Sequence, residues 1–183
     1  MVQHTWLMNE NYSSLLKTIC RICLLRKGPR DVVESAYLQR MMLYCYLFSG
    51  SCSIYFGSQV SLWTAVGQAS LDALILTLFS YLLLAYFSFS SRFKQVMTAL
   101  YASGALMSML SIPLVYRLEL LSSKQQDIGL LGWLVFIIMC WSFVVMAHIL
   151  REAIQKHLTT CLLLTFCYIY LSYQLINFVY PQM

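Results

Sequence analysis

Asp72 is the one acidic residue inside a long apolar run, "VGQASLDALILTLFSYLLLAYF" over 66–87. An ionised acid at a helix centre in lipid costs about 2.5–3.5 kcal/mol on insertion scales, so it must face a helix bundle or water. Two chemistries suit such a residue. It could bind a proton or ligand, or it could be a neutral or paired acid that fastens its helix to a neighbour. One acid without an intramembrane base makes a poor proton relay, which favours fastening. Partners expected near its depth are Gln68, one turn away on the same face, and Gln174 and Asn177 in the last apolar run. Arg117, at the end of the third run, completes the expected polar cluster.

Two other stretches hold residues of chemical interest. "CRIC" places Cys20 and Cys23 one helical turn apart. A four-cysteine zinc site needs a second such pair, and the sequence has none; two thiols on the apolar face of a surface helix are expected to pack. "HILREAIQKH" sets His148 four residues before Glu152, with His157 beyond. It is not H-E-x-x-H, and it reads as a solvated helical loop with a Glu152–Lys156 pair. No G-x-S-x-G, no spaced aspartates and no pair of intramembrane acids occurs. Six of the seven acids (Glu10, Asp31, Glu34, Glu119, Asp127 and Glu152) fall in expected loops, caps or termini. Neither catalysis nor a cofactor or metal is expected.

The elements that must position Asp72 follow from composition. The chain has 183 residues, 60% hydrophobic and 10% charged, with a mean hydropathy of +0.70. Soluble domains carry about 25% charged residues, so the excess apolar side chains need lipid as solvent. About 20 apolar residues span a bilayer. Five segments reach that length, at about 38–60, 62–87, 95–116, 128–148 and 158–180. The fold expected is an all-α, polytopic membrane bundle of five transmembrane helices. Residues 38–183 form the membrane domain and 1–37 a cytoplasmic segment. The first long apolar run starts near Leu38, deeper than a secretory signal, and is expected to be a retained anchor.

Basic residues give the orientation. Of twelve Lys and Arg, ten fall on one side if the N-terminus is cytoplasmic: Lys17, Arg21, Arg26, Lys27, Arg30, Arg40, Arg92, Lys94, Arg151 and Lys156. Only Arg117 and Lys124 then lie outside. The positive-inside rule predicts N-in and C-out. The net charge of +5 is thus a matter of topology, and no nucleic-acid partner is expected. Within the N-terminal segment, 12–27 reads as an amphipathic interfacial helix. Leu15, Leu16, Ile19, Ile22 and Cys23 share one side; Lys17, Arg21, Arg26, Lys27 and Arg30 supply basic membrane-surface contacts. Gly28 suits a left-handed cap and Pro29 stops the helix. Asp31 with Glu34 suits a capping box opening the first span. The alternative for 12–27 is a partner-binding helix that lipid never touches.

Small residues recur at four-residue spacing. The stripes are Cys45, Ser49, Ser53 and Gly57 in the first run, Ala65, Ala69 and Ala73 in the second, and Ser103 with Gly104 and Ser108 in the third. Such stripes let helices approach closely in lipid. A tight core of spans one to three is expected, with four and five peripheral, and Pro113 is expected to kink or end the third.

A short basic N-terminal segment followed by five closely spaced spans, N-in and C-out, resembles the Yip-type superfamily of Rab-GTPase-interacting membrane proteins and their bacterial relatives. The likeness covers roughly 36–180. It is carried by "RFKQVMTALYASGALMSMLSIPLVY" and "FVVMAHILREAIQKHLTTCLLL". "KGPRD" keeps only Gly28 and Pro29 of the acidic Tyr-Gly-Pro signature, which favours a bacterial relative in the cytoplasmic membrane over an ER or Golgi protein. The resemblance implies a non-enzymatic scaffold or adaptor whose partners are the bilayer, other membrane proteins or further copies of itself. The other reading is a small transporter or channel-like subunit built around Asp72.

Overall fold

Local signals at the chain reversals set the helix boundaries. The computed structural model describes residues 16–32, 34–58, 60–123 and 129–181, and every regular element among them is helical. α1 covers 16–23 of the described residues. Five long helices follow: α2 Ala36–Ser58, α3 Leu62–Tyr86, α4 Phe93–Ser123, α5 Gly129–Ile154 and α6 Leu158–Val179. The start of α2 is capped by Ser35, whose Oγ accepts from Leu38 N at 3.4 Å. Asp31 instead closes a short 3-10 turn, Pro29–Asp31, and accepts from Gly28 N at 3.2 Å. Asp31 thus serves the turn before α2, and Ser35 takes the N-cap position expected of Asp31. α3 opens on Ser61, which accepts from Thr64 N at 3.2 Å. A side-chain acceptor at this position satisfies an amide the helix cannot.

Three helices end in left-handed residues that are not glycine, Leu25, Ser88 and Gln155, and the first two share one closure. Leu25 has φ 60, and Arg26 N reaches back to Arg21 O at 2.9 Å; Ser88 has φ 61, and Phe89 N reaches Leu84 O at 2.8 Å. Both are Schellman closures. Gly28 is therefore not the cap expected of it: its φ is −111, in extended backbone. A side chain there would bring a Cβ within 3.1 Å of Glu152 Cγ, so the glycine permits a close approach to α5.

The five long helices form a ring. α2 lies against α4 and α3, α4 against α5, α5 against α6, and α6 returns to α3. α3 and α4, although adjacent in sequence, meet only slightly because α2 stands between them. The near end of the ring carries the N-terminal segment, and the far end carries Ser61 and Tyr180. The small-residue stripes lie where helices meet. Ser49, Ala65, Ala69, Ala73 and Ser103 are buried, and Ser53, Gly57, Gly104 and Ser108 are half-buried. At Gly57 an added Cβ would strike Val115 on α4, and at Gly67 it would strike the Tyr180 hydroxyl.

Four helices are long and apolar enough to cross a membrane: α3, the stretch Ser90–Ser122 that contains most of α4, α5 and α6. Their burial runs against their hydropathy. The most apolar window, in α5, is 11% buried, whereas that of α4 is 44% buried. An apolar helix with so little protein around it needs a non-aqueous solvent. α5 and α6 are thus the peripheral pair. α2 has the length, but Gln39, Arg40 and its serines and glycines keep it below the four in hydropathy. α4 runs ten residues past Pro113, so the proline does not end it, and Arg117 lies on a helix. Proline is tolerated in such helices because neighbours re-satisfy the freed backbone groups.

Candidate functional site

Asp72 lies ten residues into α3, about 15 Å from the far end at 1.5 Å per residue. α2 and α6 run antiparallel to α3. Residues about as far from their own far-end termini are Tyr46 and Tyr168, and both donate to Asp72. The Tyr46 hydroxyl is 2.5 Å from Oδ2 and the Tyr168 hydroxyl 2.9 Å from Oδ1. Ser172, one turn beyond Tyr168, donates to Oδ1 at 2.6 Å. Three hydroxyls from two helices thus converge on one carboxylate of a third. No ion pair reaches Asp72 among the described residues.

Gly104 makes this convergence possible. A Cβ there would sit 2.6 Å from Tyr46 Cε2 and 2.9 Å from Cδ2, so the Tyr46 ring lies directly against the α4 backbone. Tyr101 stacks on Tyr46 with centroids 5.5 Å apart, and its hydroxyl is 2.6 Å from Thr77 Oγ1. Phe79 lies 5.5 Å from the Tyr168 ring. Tyrosine suits these positions because its ring packs while its hydroxyl reaches a polar partner.

A cavity of about 260 Å³ opens beside the carboxylate, and all five long helices line it. Its walls include Leu76, Leu100, Met107, Phe143 and Met146. Its most exposed lining residues are Met139 on α5 and Ile169 on α6, which place the mouth between those two helices.

The partners expected from sequence lie elsewhere. Gln174 donates to the Tyr170 hydroxyl at 3.0 Å on the exposed side of α6. Asn177 is exposed near the end of α6, and Arg117 is exposed on α4, thirteen residues beyond Gly104. Gln68 is buried one turn before Asp72, but the hydrogen bonds of the carboxylate go to Tyr46, Tyr168 and Ser172. Gln174 lies only two residues past Ser172 but on the opposite, exposed face of α6, and Asn177 sits about two turns closer to the far end than Asp72. The available signal was Tyr168 and Ser172, four apart and at the depth of Asp72.

The remaining motifs form the near end. Ile19, Ile22 and Cys23 are buried in the core cluster, so the face of α1 expected against lipid covers the bundle instead. Leu16 of that expected face is exposed, and Leu15 lies outside the described residues. Lys17, Arg21 and Arg26 are exposed and Lys27 is half-buried. Burial, then the neighbouring Cys20, pushes the Cys23 thiol up to about 11, which leaves it protonated and unreactive at neutral pH. The segment is tied to α5 at three levels. Trp141 Nε1 donates to Cys23 O at 3.1 Å, His148 Nε2 lies 3.1 Å from Lys27 O, and Arg30 donates to Glu152 O at 3.3 Å. His148 is therefore on a helix and holds backbone, not in a solvated loop. α5 ends at Ile154, before Lys156, which sits over the Phe87 ring at 5.6 Å in place of the expected pair with Glu152. Glu34 pairs instead with Lys94 at 3.6 Å, both exposed. Among the described residues no three metal-ligating side chains converge.

No protein-family model, curated protein or solved structure matches the chain.

Proposed function

We propose that the protein is a non-catalytic, five-span membrane protein, N-in and C-out, that handles a small solute at the centre of its helix ring. It is thus a small transporter or channel-like subunit. The observation that carries this reading is the cavity beside Asp72, lined by every long helix. An acid serving only to fasten helices would be expected in dry, filled packing. Ser80, two turns from Asp72 toward the near end, is fully buried with no partner for its hydroxyl. It leaves a polar group without a partner inside the ring. α2 serves as the fifth span: its less apolar face is covered by α3 and α4, and Tyr44 and Phe48 face outward. α1 and the 3-10 turn close the cytoplasmic end. Near-end Arg30, Arg92, Arg151 and Lys156 then face the cytoplasm, as the positive-inside rule requires.

A second reading is the scaffold or adaptor that the Yip-type likeness implies, in a bacterial cytoplasmic membrane. Its support is the saturation of Asp72 by three hydroxyls, which ties α2, α3 and α6 together. Charge movement in proteoliposomes separates the two. The wild type should give transient currents when monovalent cations are applied across the membrane, and Asp72→Asn should not. Silence across organic and inorganic cations, with stable co-purification of other membrane proteins, would favour the scaffold.

A further inference from the structure

We propose that the central cavity binds an organic ammonium ion carrying an apolar substituent, with Asp72 as its counter-ion. The charge argument comes first. Asp72 accepts from Tyr46, Tyr168 and Ser172, an arrangement that suits a carboxylate, which has acceptors only. Among the described residues no cation forms an ion pair with it. Arg40, six residues before Tyr46 on α2, and Lys94, ten residues before Gly104 on α4, are both exposed and form no ion pair with Asp72, and Arg117 is thirteen residues past Gly104, about 20 Å along the helix. A half-buried negative charge without an ionic partner calls for a counter-ion from outside.

The walls then select the kind of cation. A small inorganic ion wants several oxygen ligands. Both Asp72 oxygens are already engaged, and Ser103 Oγ donates to Leu100 O at 3.1 Å. Apart from the Ser142 hydroxyl, what remains is apolar or aromatic: Met107, Met139, Met146 and Phe143, beside the rings of Tyr46 and Tyr168. Aromatic faces attract alkylammonium groups, and thioethers pack around irregular apolar substituents. A single water needs about 10–15 Å³ of such space, so 260 Å³ holds a small organic molecule. The mouth at Met139 and Ile169 lies on the apolar flank of the ring, between its two most lipid-facing helices. An amphiphilic cation partitioned into the bilayer reaches Asp72 by that route without crossing the near-end closure.

Isothermal titration calorimetry on the detergent-purified full chain tests this with two probes of one shape: benzyltrimethylammonium and its uncharged analogue neopentylbenzene. The cation should bind saturably at one site and the neutral analogue at least tenfold more weakly. Asp72→Asn should weaken the cation at least tenfold while circular dichroism and gel filtration stay unchanged. Ser142→Phe fills the cavity from α5 and leaves Asp72 and its three hydroxyls in place; it should abolish binding. Equal binding of the two probes, undiminished binding in either variant, or no saturable binding to the folded wild type would each overturn the assignment. The inference rests on the solute-handling reading, and the two fail separately. Currents with other cations but no benzyltrimethylammonium binding would remove the ligand class alone. Binding with no current would remove transport alone.

Discussion

Gly104 and Asp72 depend on one another through a residue that belongs to neither helix. The Tyr46 ring fits against α4 only because Gly104 has no side chain, and from that position its hydroxyl meets Asp72 Oδ2. Gly104→Ala should push the ring away and cost about 1–3 kcal/mol, the usual penalty for overpacking. Gly132 is the control, since a Cβ there meets nothing within 4 Å. Gly132→Ala should be neutral or slightly stabilising. Melting of both variants in one detergent reads the difference; equal melting temperatures would show that the Tyr46 ring is free to move. Asp72→Leu should cost about 1–2 kcal/mol, because the Tyr46, Tyr168 and Ser172 hydroxyls all lose their acceptor. Asp72→Asn keeps an acceptor oxygen and should melt close to wild type.

At the scale of elements, α1 is a packed part of the bundle. Its two thiols report this directly, because Cys20 is exposed while Cys23 is buried and its thiol is held up to about 11. A raised value means thiolate is scarce below that pH, so Cys23 gains reactivity only on strong alkalinisation or on undocking. Maleimide labelling at pH 7.5 with peptide mapping should modify Cys20 and spare Cys23. Trp141→Phe removes the indole donor to Cys23 O and should raise Cys23 labelling. Rapid modification of Cys23 in the wild type would mean that α1 is not docked. Cys20→Ser should be silent, whereas Cys23→Ser places a hydroxyl in the core cluster and should lower stability by about 1 kcal/mol.

At the scale of the whole molecule, the ring gives both ends of the chain a defined side if all five helices span. A reporter active only outside the cytoplasm should work when fused after Met183 and fail when inserted in the turn at Ser88–Arg92. The opposite pattern would invert the molecule and move the near-end basic cluster to the wrong face. The same fusions test α2. If α2 lay within one leaflet instead of crossing, a reporter placed at Ser58 would share the side of the N-terminal segment.

Long apolar runs needed no tertiary information to be read, because lipid selects composition directly. α2, α3 and α6 begin and end within a few residues of the runs expected for them. α4 and α5 extend beyond theirs: Arg117 and Arg151 tolerate helix, and nothing in composition says where a solvated helix must stop. The small stripes at Ser49, Ala69 and Gly104 were legible for the same reason, since helix spacing puts them on one face whatever lies opposite. Asp72 was legible as an anomaly, but its partners were not. Tyr46, Tyr168 and Ser172 are ordinary residues in apolar runs, and only the order α2–α4–α5–α6–α3 around the ring brings them to one carboxylate. The docking of α1 was hidden likewise, because an amphipathic face looks the same whether lipid or protein covers it. Composition fixes which side chains leave water; the pairing of those that stay polar depends on depth and neighbour, which only the assembled ring decides.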